Sequence, residues 1–518
     1  MMALMTVEAQ PSAELPRMVV NILVDQLRTD YLEAFVPLYG EDGFKRLMSE
    51  ARYFADAQVP FRGPDRASSA ACLSTGAVPY DNGIPSQSWL SRETLQPVFC
   101  VDDNRYAGYQ TFEQTSPGYL RTTTVSDELE LATGQISKVY SIAAEREMAV
   151  LMAGHVADGA FWINDQTGSW CSTSYYGAYP DWAISYERNA SLAKRIGKAV
   201  WEPVYDGGLY SFHYFQGAVD GKSTDFKHTF TGDGRYRSFK NSALVNEETV
   251  NFVKRCLEAS YIGRDYVPDL LNVGLYAGNY DHQSVLCCPS EMQDTYVRLD
   301  RVLADLMNSV DMIAGKGNVL FVLSSTGYTD SDAGDIDFAR HRIPSGTFSM
   351  ERASMLLNMY LSALFGQEQY IDGTRNQQIY LNRKLLEQRQ INQYELLTRC
   401  EEFLSQMEGV RDVYTSSRLT TGAWVKGLDR VRAGWNIHRS GDIVIEVNPG
   451  WKIVNENQAE YVNQGEAYLS YPLFVMGADV AAERITQPVS TAAIAPMLAR
   501  CLRIRAPNGS REAPLVLQ

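Results

Sequence analysis

Residues 18–25 read Met-Val-Val-Asn-Ile-Leu-Val-Asp, a nearly unbroken apolar run closed by an acid, which predicts a strand buried on both faces of a sheet. Apolar spacing at Phe44 and Leu47 predicts a helix over 41–48, and the small residues of 68–75 predict a tightly packed one. Short apolar runs at 139–144 and 149–152 read as strands. A helix over 247–260 leads to a strand over 269–276. A second helix, over 291–310 with Val297, Val302, Leu303 and Leu306 on one face, leads to a strand over 318–323. Helices around 351–365 and 393–408 accompany a small insertion at about 370–440. Strands over 443–447 and 473–476 and a helix over 492–502 close the chain. Strands and helices that alternate in this way predict an α/β sheet with helices on both faces.

Between about 158 and 235 the helical period is lost, and Gly207-Gly208 and Gly232-Asp233-Gly234 punctuate the chain as turns. This stretch reads as an inserted cap. Tyr is abundant at 30 residues and densest from Trp162 to Tyr214. Such aromatics serve either to pack a cap on the core or to form a binding surface. Residues 16–518 otherwise read as one large domain, after an N-terminal segment over 1–15.

The net charge of −15 argues against a nucleic-acid-binding surface, and no apolar run is long enough to span a membrane. Cys72, Cys100, Cys171, Cys256, Cys287, Cys288, Cys400 and Cys501 show neither CxxC pairs nor zinc-ligand spacing, and their pairing is left open. Residues 1–10 lack a basic n-region, while Val7-Glu8-Ala9 has small residues at cleavage-like positions. The expectation is a periplasmic or envelope-associated protein, or a cytoplasmic one if no signal peptide precedes this start.

Several segments resemble the alkaline phosphatase superfamily, most closely its type I phosphodiesterase/nucleotide pyrophosphatase and single-chain phosphate-irrepressible groups. The 18–25 strand is similar to the family's first strand. Phe61-Arg62-Gly63-Pro64-Asp65-Arg66-Ala67-Ser68 is similar to the family's Tyr-Thr-Gly-Pro-Gly-His-Ala-Ser. Ala160-Phe161-Trp162 with Ser172-Thr173-Ser174-Tyr175-Tyr176-Gly177 resembles the cap entry. Asp294-Thr295-Tyr296-Val297-Arg298-Leu299-Asp300 resembles the helix after the second metal strand, and Ala506-Pro507-Asn508-Gly509 the C-terminal signature. The resemblance implies a three-layer sandwich with a large, mostly parallel central sheet and an inserted cap. It also implies export, two zinc ions and a hydroxyl nucleophile.

Asp25 matches a zinc-binding Asp of that family, but other functional positions differ. Arg62 stands where the family has its nucleophile, and a guanidinium cannot accept a phosphoryl group. Asn279 and Gln283 stand at an Asp and a His of the first metal site. Ser325 and Thr326 replace the Asp-His of the second, and Ser470 the last His. Neutral amides and hydroxyls are poor zinc ligands beside carboxylate and imidazole. Glu145 and Glu147 align with the Lys and Arg of the phosphate clamp, and Gln87 with its Asn. The expectation is a metal-free pseudoenzyme without cofactor, serving as a binding or scaffold subunit among other proteins of an envelope-associated complex. In that reading Arg62 pairs with Asp25 in place of a metal.

Two alternatives stay open. One is a phosphomonoesterase or phosphodiesterase whose site has moved to Asp281, His282, Asp330, Asp332, Asp335 and His341; the acid-rich run from Tyr328 to Asp335 lacks the EF-hand Glu. Ser68 and Ser69 are the hydroxyls nearest the lost nucleophile. The other is a glycan-binding module that uses the Trp residues of the cap.

Overall fold

The computed structural model describes residues 15–205, 209–210, 225–283, 285, 287–330, 344–422, 427–455, 460–462 and 469–518. Its centre is a ten-stranded sheet. In chain order the strands are β1 (Met18–Asp25), β2 (Arg52–Phe54), β3 (Gly108–Tyr109), β4 (Val139–Ala143) and β5 (Gly159–Ile163), then β6 (Trp170–Thr173), β7 (Asp269–Tyr276), β8 (Val319–Ser325), β9 (Leu473–Met476) and β10 (Glu483–Ile485). They lie side by side in the order β10-β2-β9-β8-β1-β7-β4-β5-β6-β3. The middle run β8-β1-β7-β4-β5 is parallel throughout. Strands β9, β6 and β3 join antiparallel at the flanks.

Strand β1 is buried along its whole length because it sits mid-sheet between two layers. Alternation divides its side chains: Val20, Ile22 and Val24 enter one core, and Val19 and Leu23 the other. On the first face pack α4 (Leu244–Ala259) and α5 (Pro289–Ala314). On the second pack α2 (Val125–Thr133), α3 (Arg146–Ala153) and α6 (Ile494–Leu502), and α1 (Arg66–Thr75) lies against α3. This is the three-layer sandwich that the resemblance implied.

The run 149–152, read as a strand, belongs to helix α3. A four-residue apolar run does not distinguish a buried strand from one turn of a buried helix. Here Gly154, with φ 73°, ends the helix before β5 can begin. The inserted cap also starts later than 158, because 159–173 forms β5 and β6 of the central sheet. The turn read at Gly207-Gly208 lies outside the described residues.

The second insertion is larger than 370–440. It has a four-stranded sheet of its own, built from Ile371–Arg375, Gln378–Leu381, Val410–Thr415 and Ile443–Val447. Helices Met350–Phe365 and Gln393–Leu404 cover it, and the lobe has a separate apolar core that includes Leu357, Leu361, Ile379, Leu397 and Ile445.

The tryptophans between 162 and 201 pack inward, with two of the neighbouring tyrosines. Trp162, Trp170 and Trp201 are fully buried, and Trp182, Tyr186 and Tyr210 are nearly so. Trp170 stacks on Phe252 of α4 with ring centres 4.1 Å apart. For these residues the packing reading holds over the binding-surface one: burying the rings holds the region to the core. All eight cysteines are free thiols.

Candidate functional site

The parallel strands β1, β7, β4 and β8 all deliver their carboxyl ends to one side of the sheet, where α/β folds place their sites. Asp25 ends β1, Tyr276 ends β7, Glu145 and Glu147 follow β4, and Ser325 ends β8. Helix α1 points its first turn at the same place. Asp65 caps that turn: its Oδ1 accepts from the Ser68 backbone N–H at 2.8 Å and its Oδ2 from the Gln87 N–H at 2.6 Å. Ser68 returns its hydroxyl to Asp65 at 2.7 Å, and Ser69 is buried, so neither hydroxyl is presented as a nucleophile.

The centre of the cleft is Arg66. Its Nε donates to Asp25 Oδ2 at 2.8 Å. Its Nη1 donates to Glu147 Oε1 at 3.1 Å and lies 3.6 Å from Glu145 Oε2. The other Asp25 oxygen accepts from the Thr326 hydroxyl at 2.9 Å, and that hydroxyl accepts from the Gln26 backbone N–H at 2.9 Å. Burial first, and then the Asp25 charge, push up the pKa of the nearby Tyr328 phenol. Gln26 has a left-handed backbone (φ 62°) and accepts from the Asp330 N–H at 3.0 Å. On the far side Lys240 reaches Glu145 at 3.0 Å, Asp165 at 2.6 Å and the Ile163 carbonyl at 3.3 Å. Gln87 completes the ring by donating to Glu147 at 3.2 Å. Between Asp25, Arg66, Glu145, Lys240 and Tyr276 lies a cavity of about 10 Å³, the size of one water site.

These contacts set the protonation of the group. Burial pushes the Glu145 carboxyl up, but Lys240 and then Arg66 outweigh it and hold the group below the usual carboxylate range. Burial raises Glu147, with the Arg66 charge opposing and the Glu145 charge adding to the rise. Burial would lower Arg66 and Lys240, yet the surrounding carboxylates keep both firmly protonated.

The pairing expected of Arg62 is corrected. Asp25 pairs with Arg66, one helical turn further along, while the Arg62 guanidinium lies 3.4 Å from Glu446 of the small lobe. Of the other positions, Glu145, Glu147, Gln87 and Thr326 meet around Arg66. Ser325 accepts from the Gly327 N–H at 3.2 Å. Asn279 is buried, and its backbone carbonyl accepts from the Tyr276 hydroxyl at 2.6 Å. Gln283 is exposed and accepts from the Cys288 thiol at 3.5 Å. Ser470 is half-buried beside β1's end, its carbonyl bonded to the Thr29 N–H at 3.0 Å. Of the relocated-site residues, His282 and Asp330 meet at 3.1 Å, and Asp281 and His282 both have left-handed backbones (φ 48° and 56°). Asp332, Asp335 and His341 lie outside the described residues.

Sequence reasoning missed two residues. Arg66 occupies the His position of the quoted Gly-Pro-x-x-Ala-Ser segment, so a signal was there to be read. Lys240 had none, because 174 positions separate it from Arg66.

The residues present do not fit the two zinc ions that the resemblance implies. Asp25 has a guanidinium on one oxygen and a hydroxyl on the other, and the matching positions offer amides and hydroxyls. Among the described residues no group of His, Cys, Asp and Glu is arranged to hold a metal.

Comparison with known proteins places the chain. Residues 19–468 match the family described as type I phosphodiesterase / nucleotide pyrophosphatase. The chain is 29% identical to a protein named calcium-transporting ATPase from Myroides odoratus, covering 98% of this chain and 95% of the relative. It is 28% identical to alkaline phosphatase PafA from Elizabethkingia meningoseptica, covering 96% and 94%. The crystal structure of wild-type PafA superposes with a TM-score of 0.85 at 27% identity, covering 98% of this chain and 100% of that one. The chain belongs to the type I phosphodiesterase / nucleotide pyrophosphatase family, within the alkaline phosphatase superfamily.

Proposed function

We propose that this family member has kept the phosphatase fold without the hydrolytic chemistry and acts as a binding or scaffold subunit. The observation that carries this reading is the Arg66 guanidinium seated on Asp25 and ringed by Glu145 and Glu147. Phosphoryl transfer needs cationic groups aimed at the transferring oxygens. Here the cations point at protein carboxylates, and a phosphate dianion entering the cleft meets Glu145 and Glu147. The cavity between Asp25, Arg66, Glu145, Lys240 and Tyr276 has room for about one water.

The experiment is elemental analysis of the purified protein, together with assays on an aryl phosphate monoester and diester. The expected result is no stoichiometric zinc and no turnover above background. About two zinc ions per chain, or clear turnover, overturns the reading.

The relatives favour a second reading, a phosphoric ester hydrolase, because alkaline phosphatases match this chain over nearly its full length. The His282–Asp330 pair supports it as a base beside the cleft. On that reading the same assays show turnover, and His282→Ala lowers it at least about 100-fold.

A further inference from the structure

We infer that Arg66 and Lys240 are the resident cations of the cleft: they hold the acidic strand ends together as bound divalent ions otherwise would, so the fold assembles without metal. The inference rests on the reading that the cleft carries no metal, and extends it to what replaced the charge.

Asp25 is 2% exposed and Glu147 4%, and Glu145 lies beside them. Carboxylates gathered at the ends of neighbouring strands repel one another, and each is costly to bury without a partner. Arg66 spans β1 and the first turn of α3, with one nitrogen on Asp25 and another on Glu147. Lys240 is 5% exposed and spans Glu145, just past β4, and Asp165, just past β5. Glu145 touches both cations, so the two halves form one network. It links β1, β4, β5, α1 and the helix Arg235–Lys240, which come from distant parts of the sequence.

The positions of the cations support the same conclusion. Arg66 is the first residue of α1, where a positive charge is disfavoured by the helix dipole. Lys240 ends its short helix with its ammonium buried. At Arg66 the carboxylates offset the dipole, and at Lys240, where the dipole favours a cation, they offset the burial of the ammonium. The fork of the guanidinium serves two acids at once, a bridging role that a spherical ion fills in other sites.

The test is thermal melting of the full chain. For the unaltered protein, excess chelator and added zinc or magnesium are expected to leave the melting temperature unchanged. Arg66→Gln is expected to lower it by at least about 5 °C, because two buried carboxylates lose their partner. Arg66→Lys is expected to retain part of the loss. Asp25→Asn placed on Arg66→Gln is expected to recover part of it, since it neutralises one of the two carboxylates left without a partner. This double variant also serves if Arg66→Gln alone does not fold. If the unaltered protein holds no metal and yet Arg66→Gln melts with it, the resident-cation inference fails while the metal-free reading stands. If chelator destabilises the unaltered protein, both fail.

Discussion

Arg66 shows how one side chain redirects a site. With a neutral imidazole there, Asp25 would have a free lone pair facing the cleft; with a guanidinium, that lone pair is bound at 2.8 Å. Asp65, its neighbour, fixes where the guanidinium begins. Its carboxylate caps α1 and also holds the Gln87 N–H. Asp65→Ala is expected to cost about 1–2 kcal/mol in urea unfolding. The opposite end of the sheet holds a separate acidic group. Glu130 of α2 is buried near Asp158, before β5, and Asp269, which starts β7, and its Oε1 has no hydrogen-bond partner. Burial first, then the charges of Asp158 and Asp269, push its carboxyl up to about 8. The unfolded chain releases that proton at ordinary acid pH, so the native state holds more protons between the two values. Stability from this group is therefore present at low pH and falls as pH rises toward 8, by on the order of 2–4 kcal/mol. Glu130→Gln is expected to flatten this slope and to be the more stable form at pH 9, as read by denaturant midpoints across pH.

At the scale of elements, buried acids attach the cap and connecting segments to the helices. Asp294 of α5 accepts from Trp201 Nε1 at 2.5 Å, the Tyr210 hydroxyl at 2.7 Å and the Val204 N–H at 2.7 Å. Six residues on, Asp300 accepts from the Gly40 and Phe44 N–H groups at 2.8 and 2.7 Å. Each acid thus fixes a connecting loop to α5. Asp294→Ala is expected to cost about 3–5 kcal/mol, because it leaves Arg298 and three donors without their shared acceptor. Trp170 performs a similar task for β6, with its ring on Phe252 and its Nε1 donating to Glu248 at 3.0 Å. Trp170→Ala should destabilise by about 3–5 kcal/mol, and Trp170→Phe by clearly less. Equilibrium unfolding followed by circular dichroism checks both.

For the whole molecule, eight free thiols mean that no covalent bond ties the layers together, so reductant is expected to leave the melting temperature unchanged; a drop on reduction would show a disulfide that forms in solution. The sequence by itself marked the middle of the central sheet, where the runs read at 18–25, 139–144, 269–276, 318–323 and 473–476 became β1, β4, β7, β8 and β9, but not β2, β3, β5, β6 or β10. Strands 269–276, 443–447 and 473–476 were legible to the residue, because each run is too short for a typical helix and is flanked by Gly or Pro. It also showed which positions differ in residue type from the family pattern, since a substitution such as Asn279 or Ser470 is visible in the residue alone. It did not determine the state of 149–152, where four apolar residues suit a strand or a helix equally and the start of β5 decides. Nor did it decide whether the cap aromatics face water, which depends on α4 lying beneath them. The partner of Asp25 was also left to tertiary structure. Arg62 and Arg66 lie four residues apart, and only the capped first turn of α1 aims the second of them at β1. Lys240 arrives from a distant helix. Pairing between charges far apart in sequence follows from how the layers close around the strand ends, and no local pattern of residues records that.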